Sequence, residues 1–284
     1  DSTPTRPPRS QRFAEALRHP PPGAKAVAIA TTSTLVLLVV VAFIVVNSPG
    51  WERARAVFFD FDIFVERFDD ILYAFRVNIR LFLTAQGLVL VGGLFVAVMR
   101  SLPGPVFFPI RAAAVIYIDI FRGLPSILVI FVLGFGIPAL RLPGLAVSPF
   151  FFAVIALTLI WSAYVAEVYR AGIESVHPSQ NAAARSLGLS AGQSMRYVIL
   201  PQAVRRVIPP LLNDSIGLLK DTALVAFLGI VEAFRRAQII QAAEFNYTPY
   251  LIVAVVFLVI TIPMSRFVDW LVARDRKRQM AGAR

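Results

Sequence analysis

The sequence contains no cysteine and only two histidines in 284 residues. Disulfide bonds and thiolate metal sites are therefore excluded, and His19 and His177 cannot form a zinc cluster by themselves. No G-x-x-x-x-G-K-[ST] phosphate loop occurs, so the chain is not itself an ATPase. A membrane enzyme would need a nucleophile with a paired base, and neither Ser162 nor His177 has a convincing partner in the sequence. We expect no catalytic residue, no metal site and no cofactor in this chain.

Charged residues are also scarce, at 16% of the chain, whereas hydrophobic residues make up 57%. A soluble globular protein cannot bury so large an apolar share, which indicates an integral membrane protein. Apolar runs of about 20 residues, long enough to cross about 30 Å of hydrocarbon, cover residues 26–46, 77–99, 116–140, 149–171, 207–231 and 250–272. Because unpaired backbone groups cannot face lipid, these runs predict an all-α polytopic fold with six transmembrane helices.

Arginine and lysine are distributed unevenly among the connections. They are frequent in residues 1–25, in the connection between the fourth and fifth spans, and in residues 273–284, whereas acidic residues outnumber them in residues 47–76. By the positive-inside rule, both termini are predicted to be cytoplasmic in a bacterial plasma membrane. This topology accounts for the formal charge of +11, so we expect no nucleic-acid partner.

The same features divide the chain into segments. The proline-rich residues 1–25 are expected to form a disordered basic tail near the lipid surface. Residues 26–46 are an additional N-terminal helix, for which a cleaved signal peptide is the alternative. Residues 47–76 have the apolar spacing of an extracytoplasmic amphipathic helix. Residues 77–272 form the main transmembrane domain, with a cytoplasmic loop at 172–206, and residues 273–284 form a second basic tail.

The connection between the fourth and fifth spans contains NAAARSLGLSAGQSMRYVILPQA, which is too polar to cross a membrane. Ser179 is a predicted N-cap for a helix over residues 180–187, and Gly188 suits the left-handed position that ends it. Ser190 and Gln193 have the spacing of a capping box that starts a second short helix. The pattern predicts a compact elbow on the cytoplasmic face, suited to docking another protein.

Three stretches resemble the membrane subunits of type I ATP-binding-cassette (ABC) importers, in the polar amino acid (histidine, glutamine, glutamate) permease branch. GIESVHPSQNAAARSLGLSAGQSMRYVILPQAVRRVIPPL is similar to the family's coupling signature, the EAA loop, and SIGLLKDTALV resembles the segment after it. YIDIFRGLPSILVIFVLGFGIP is similar to the branch's FRG-x-P region. The likeness covers residues 77–272 and leaves residues 26–46 outside a five-helix core. One departure is Ala182, where the motif usually has a glutamate that would close a capping box at the third helical position.

The resemblance implies a permease subunit that forms the translocation pathway for a polar amino acid. Two cytoplasmic ATPase subunits would bind ATP and Mg, a second permease subunit, identical or related, would complete the pathway, and an extracytoplasmic solute-binding protein would deliver the solute. The elbow would pass the ATPase movement to the fourth and fifth helices. Its coupling residues would be Ala182, Ala183, Ala184, Leu187, Gly188, Leu189 and Ser190. The alternatives are a permease for methionine or an inorganic anion, and a non-ABC helical channel or scaffold.

A polar stripe runs along the fifth predicted span. At 100° per residue its members fall within an arc of roughly 120°. They are Asn213, Asp214, Gly217, Lys220 and Asp221. Ionisable groups at this depth are costly unless they are paired, so the stripe is a candidate substrate pathway. A solute carboxylate could meet Lys220 or Asn213, and its ammonium could meet Asp214 or Asp221. The alternative is a structural network that joins helices or subunits.

Three further pairs of opposite charges stand at positions i and i+3. They are Asp119 with Arg122, Glu167 with Arg170, and Arg266 with Asp269. Such spacing places both side chains on one helix face, so we predict local ion pairs here rather than contacts with solute.

Single cysteines test the predicted orientation without background labelling, because the natural chain has none. Cysteines at Ser10, Arg67, Ala191 and Gln279 are expected to report inside, outside, inside and inside with a membrane-impermeant maleimide. The reason is the asymmetry of the loop charges. Labelling of position 67 only after the membrane is permeabilised would contradict the orientation.

Overall fold

The computed structural model describes residues 23–143 and 148–282, and it is helical without strands over that part of the chain. The tail predicted over residues 1–25 therefore lies almost wholly outside the described residues. The helices are α1 (Ala24–Val46), α2 (Trp51–Phe58), α3 (Phe61–Ser101), α4 (Phe108–Gly123), α5 (Ser126–Phe131), α6 (Ile137–Ala139), α7 (Pro149–Glu174), α8 (Pro178–Ser186), α9 (Ala191–Ser194), α10 (Leu200–Asp221), α11 (Ala233–Glu244) and α12 (Thr248–Gly282). Pro105–Phe107 and Thr222–Leu228 are 3₁₀ helices, and Val132–Gly136 and Met195–Ile199 are π-helical turns.

The all-α polytopic fold is confirmed, whereas the count of six spans is not. Among the described residues, the helices long and apolar enough to cross a membrane are Lys25–Val46, Trp51–Ser101, Pro149–Glu174 and Thr248–Asp275. The bent pair α4 and α5–α6 adds a fifth if it is one span. The predicted span at 207–231 is absent from this set, because α10 carries several charged residues and ends at Asp221.

The predicted span at 116–140 is broken in the middle. Its two parts, α4 and α5–α6, are bent by 106°. The bend lies at Leu124, whose φ of −91° and ψ of 142° are extended. Proline disfavours the helical region for the residue before it, so Pro125 forces this conformation. Arg122 therefore lies at the C-terminal end of α4, and Ser126 begins α5.

The chain divides into two compact units, and the boundary lies between Ala56 and Val57. In the first unit, the described side chains of α1 are all exposed. Its sequence is apolar around the whole circumference, which is the property of a helix that crosses a membrane.

In the second unit, α3 is the central element. It begins at the N-cap Asp60, whose carboxylate accepts from the backbone N–H groups of Asp62 and Ile63. The sequence predicts a separate amphipathic helix up to residue 76, but the structure has one continuous helix of 41 residues through this point. Its buried face recurs every three or four residues and comprises Ile71, Ala74, Phe75, Asn78, Leu81, Ala85, Val89, Gly93 and Ala97.

Two apolar clusters share α3. The C-terminal half of the helix packs on α7 and α10 through Leu81, Ala85, Val89, Ala153, Leu157, Ile160 and Leu218. The N-terminal half packs on α11 and α12 through Ile71, Phe75, Ala233, Ala237, Ile240, Ile252 and Val256. Alanine is frequent at these contacts, and small residues let membrane helices approach closely.

A buried polar network joins the two clusters. Asn78 of α3 donates through Nδ2 to Thr222 Oγ1 at 3.1 Å and to Glu232 Oε2 at 2.9 Å, and its Oδ1 accepts from the backbone N–H of Ala233 at 3.1 Å. Glu232 is fully buried and also accepts from the backbone N–H of Arg235. These bonds fix the end of α10 and the start of α11, a helix that has no counterpart among the predicted elements.

Candidate functional site

A charged site, here called the corner, lies beside the break in the third predicted span and contains Arg122, Tyr164, Asp214 and Asp221. The guanidinium carbon of Arg122 is 5.4 Å from the centroid of the Tyr164 ring on α7, a cation–π geometry. Arg122 also attracts the carboxylate of Asp214 on α10. Asp214 is partly buried, and its Oδ2 atom has no hydrogen-bond partner among the described residues. Because an unpaired buried carboxylate oxygen is costly, this corner can accept a cationic group that carries N–H donors.

A second carboxylate extends the corner along α10. Trp161 donates from Nε1 to Oδ2 of Asp221 at 3.1 Å, and Ser126 at the start of α5 lies near the same carboxylate. The rings of Trp161 and Tyr164 are 5.2 Å apart and tilted by 35°. Asp214 and Asp221 lie about two helical turns apart. The aromatic surface of α7 therefore connects Arg122 at one end to Asp221 at the other.

Gly217 lies between the two carboxylates on α10. A Cβ atom added at this residue would be 2.2 Å from a carbon of the Trp161 ring. An added methyl group would clash with the Trp161 ring unless the ring moved, so the absence of a side chain at Gly217 lets the indole approach α10 and donate to Asp221. The corner is thus formed by α4, α5, α7 and α10.

The structure brings together three of the five stripe residues predicted for the pathway. Asp214, Gly217 and Asp221 belong to the corner, whereas Asn213 and Lys220 lie on the exposed surface of α10. The sequence interpretation missed the roles of Arg122, Ser126, Trp161 and Tyr164 in this corner. The FRG-x-P motif contained the usable signal, because it predicts both the helix break and a charged residue beside it.

The predicted local ion pairs have different outcomes. Glu167 pairs with Arg170 at 2.8 Å, and Arg266 pairs with Asp269 at 3.6 Å, as predicted. No ion pair joins Asp119 to Arg122 within the described ranges. The i, i+3 rule considers only one helix, whereas the partners of Arg122 belong to α7 and α10.

The N-cap of the first elbow helix lies two residues before the predicted Ser179. His177 is the N-cap of α8, because its Nδ1 atom accepts from the backbone N–H of Ser179 at 3.2 Å and Pro178 occupies the first helical position. The third helical position is therefore Gln180. Ala182 lies two residues beyond it, so the expectation that a glutamate at 182 would close a capping box is wrong.

The turn between the two helices is as predicted. Gly188 has a φ of +84°, its N–H donates to the carbonyl of Arg185, and the N–H of Leu189 donates to the carbonyl of Ala184. These two bonds form a Schellman motif, which requires the left-handed conformation at Gly188. The capping box of Ser190 and Gln193 is confirmed, with bonds of 2.8 and 3.2 Å.

The second helix of the elbow is longer than predicted. From α9 the chain continues through the π-helical turn into α10 without a break at Pro201. The Ser194 hydroxyl donates to Asn181 Oδ1 at 2.7 Å, and Arg206 donates to the carbonyl of Ser175 at the end of α7. The elbow is therefore joined to both α7 and α10.

Exposure separates the predicted coupling residues into two groups. Ala184 is buried, and Leu189 is partly buried. The exposed members are Ala182, Ala183, Leu187, Gly188 and Ser190. Leu187 is 84% exposed, so its side chain extends from the surface of the elbow.

The sequence and the fold are both similar to those of known transport proteins. Residues 90–277, more than half of the chain, match the family described as "Binding-protein-dependent transport system inner membrane component". The chain belongs to this family. It is therefore a membrane-embedded permease subunit of an ABC importer, in which partner subunits hydrolyse ATP. The resemblance in residues 77–272 is confirmed.

Three relatives show how far the similarity extends. The probable glutamine ABC transporter permease protein GlnM of Bacillus subtilis (strain 168) is 37% identical over 186 residues, covering 65% of this chain and 83% of that protein. The arginine transport system permease protein ArtQ of the same organism is 31% identical over 218 residues, covering 77% and 97%. A crystal structure of an amino acid ABC transporter with histidines matches with a TM-score of 0.70 at 35% identity, covering 76% and 98%.

Replacing Gly188 by alanine tests the elbow geometry. A Cβ atom at Gly188 would meet no atom within 4 Å, so the only penalty is the left-handed backbone, about 1–2 kcal/mol. We expect Gly188→Ala to insert into the membrane normally but to lose most solute-dependent ATPase activity of the assembled importer. The matched control is Gly192→Ala in the same loop, which also has open space but no positive φ. Equal activity of the two variants would contradict this role for Gly188.

A second substitution tests the contact between α7 and α10. Gly217→Ala places a methyl group against the Trp161 ring, and overpacking of this kind costs about 1–3 kcal/mol. We expect a lower melting temperature and slower uptake. The double variant Gly217→Ala, Trp161→Phe is expected to recover most of the stability. Gly87→Ala in α3, where a Cβ atom has open space, is the control. A wild-type melting temperature for Gly217→Ala would refute the contact.

Proposed function

We propose that this permease forms the translocation pathway for a polar amino acid, and that Arg122 and Asp214 bind the two charged ends of the solute. The relatives and the solved structure carry glutamine, arginine and histidine in their names. These solutes differ in their side chains but share an α-carboxylate and an α-ammonium group. A pair of opposite charges in the pathway matches that shared part.

The observation that supports this proposal most directly is the Oδ2 atom of Asp214, which has no hydrogen-bond partner among the described residues and lies within electrostatic reach of Arg122. A guanidinium can donate two parallel hydrogen bonds to the solute carboxylate, and Asp214 can accept from the solute ammonium. Arg122 is held over the Tyr164 ring, which leaves its planar fork available on the other side. Hydrogen bonds of this kind are charge-assisted and stronger than those between neutral groups.

The solute side chain would extend toward Trp161 and Asp221. The two aromatic rings offer an apolar, polarisable surface that fits side chains of different shapes. Asp221 accepts from Trp161, and its carboxylate adds negative charge at this end of the corner. A neutral or cationic side chain is favoured there, and an acidic one is disfavoured.

Asn213 and Lys220 would line the pathway where two permease subunits meet. Both lie on the exposed face of α10, which also supplies Asp214 and Asp221 on its partly buried side. A second permease subunit, identical or related, would cover this face. The pathway would then run between the two copies of α10, with Asn213 and Lys220 at the junction.

The elbow would connect this pathway to two cytoplasmic ATPase subunits, one for each permease, which bind ATP and Mg. The exposed Leu187, Ala182 and Ala183 offer an apolar docking surface, and the bonds of Ser194 and Arg206 join that surface to α10 and α7. Closure of the ATPases would move α7 and α10 as rigid bodies and open the corner between them. Both termini would be cytoplasmic, and an extracytoplasmic binding protein would deliver the solute.

Neutralising the two charges tests the proposed binding site. We expect Arg122→Gln and Asp214→Asn each to raise the half-saturating solute concentration for uptake by about 10- to 100-fold, because one charge-assisted hydrogen bond contributes about 1.5–3 kcal/mol. Basal ATP hydrolysis by the assembled complex should persist. Uptake by proteoliposomes over a range of solute concentrations, at one fixed concentration of binding protein, is the measurement.

The matched controls are Arg266→Gln and Asp269→Asn, which neutralise an exposed pair on α12. Their uptake should equal that of the wild type. Unchanged uptake in Arg122→Gln and Asp214→Asn would exclude a solute-binding role for this corner. Loss of assembly in both would instead identify Arg122 and Asp214 as a structural pair.

A further inference from the structure

A groove with two arginines lies at the turn between α3 and α4, away from the corner and the elbow. It has a volume of about 490 Å³ and is lined by Arg100, Phe108, Arg111, Ala112, Val115 and Ile116. This volume falls within the range of roughly 300–1,000 Å³ that is typical of sites for small ligands. Arg100 is the penultimate residue of α3 and thus lies at the end of a membrane span. The apolar run of residues 77–99 ends directly before Arg100, so the groove is expected near the lipid headgroups.

Arg111 is positioned by the backbone of the turn. Its Nη1 atom donates to the carbonyl of Leu102 at 2.8 Å and to the carbonyl of Gly104 at 2.6 Å. No ion pair involves Arg111 within the described residues, and the side chain is only partly exposed. A half-buried guanidinium with one nitrogen fixed by carbonyls and no counter-ion has its other N–H donors available for an anion.

Arg100 adds positive charge on the other side of the groove. It pairs with Glu167 of α7, but Glu167 also pairs with Arg170. One carboxylate thus serves two guanidinium groups, and Glu174 pairs only with Arg170. Of the two arginines that line the groove, Arg100 pairs with Glu167, whereas Arg111 has no ion pair among the described residues and keeps its positive charge. This unpaired charge favours a ligand with a net negative charge.

The rim of the groove is apolar and faces outward. Phe108 is 64% exposed and Ile116 is 57% exposed, and both belong to the helix that forms one wall. Side chains of this kind at a span end contact lipid chains, whereas a water-soluble anion gains nothing from them. The combination of an anion site with an apolar rim matches an amphiphile.

We propose that this groove binds the headgroup of an anionic phospholipid. The phosphodiester would accept hydrogen bonds from Arg111 and Arg100, and the first methylene groups of the acyl chains would lie on Phe108, Val115 and Ile116. A lipid whose headgroup carries an ammonium is a poorer ligand, because that cation would lie beside two guanidinium groups. Basic pockets between transmembrane helices bind anionic headgroups by the same chemistry.

The test uses the assembled importer in nanodiscs of phosphatidylcholine that contain a small fraction of phosphatidylglycerol. Native mass spectrometry, after extraction into mild detergent, counts the phosphatidylglycerol molecules retained by each complex. The wild type is expected to retain one per permease copy at this site. Arg111→Gln should weaken retention about fivefold, since one arginine near the surface contributes about 1 kcal/mol.

Two variants accompany Arg111→Gln. Val115→Trp keeps both arginines and fills the groove, so it should also reduce retention and covers the case in which Arg111→Gln fails to assemble. Arg274→Gln is the control, because Arg274 is an exposed arginine that stacks on Trp270 at the end of α12. Its retention should match the wild type.

Three results would overturn the proposal. Equal retention by wild type, Arg111→Gln and Val115→Trp would show that the lipid does not bind in this groove. Equal retention of phosphatidylethanolamine would remove the selection for net negative charge. Displacement of phosphatidylglycerol by glycerol phosphate at the same concentration would identify a site for free phosphate, in which the apolar rim has no part.

Discussion

The arrangement of the bundle depends on one buried side chain, Asn78. The chain leaves regular helix after Asp221, and at this depth the freed backbone groups cannot rely on water. Asn78 uses both ends of its carboxamide here, toward Thr222, Glu232 and the N–H of Ala233. Burying Glu232 is costly, but a carboxylate that accepts several hydrogen bonds is stabilised, each by about 1.5–3 kcal/mol. Because this network fixes the end of α10 against α3, it also fixes the carboxylates that precede it.

The positions of the polar groups in the corner depend on the same need to satisfy irregular backbone inside a membrane. Irregular backbone inside a membrane is tolerated only where protein or a polar cavity surrounds it. Two irregular places in the described bundle, the bend at Leu124 and the end of α10, supply Arg122, Ser126 and Asp221. Because the chain bends by 106° at Leu124, Arg122 and Ser126 belong to different helices that meet at this point. The helix ends therefore concentrate polar groups where a solute can meet them.

Local features could be predicted from the sequence, and contacts between distant segments could not. The left-handed Gly188 and the capping box at Ser190 depend on neighbours within four residues, so spacing was sufficient. The N-cap was assigned to Ser179 because serine is a common cap, but Pro178 fixes the first helical position and His177 supplies the acceptor. The partners of Arg122 lie on other helices, and only the fold brings them together. The 106° bend was predictable in principle from the proline after Leu124, yet the apolar run concealed it.

The π-helical turn at Met195–Ile199 contains one residue more than a turn of α-helix. One additional residue in a turn rotates everything beyond it by about 100° about the helix axis. A helical wheel drawn without interruption from Ser190 to Asp221 therefore assigns Asp214 to the wrong face relative to the elbow. Removal of a single residue from this turn would keep the segment helical but swing Leu187 around α10 by the same angle. Substitutions in this turn therefore disturb the geometry less than the insertion or deletion of one residue.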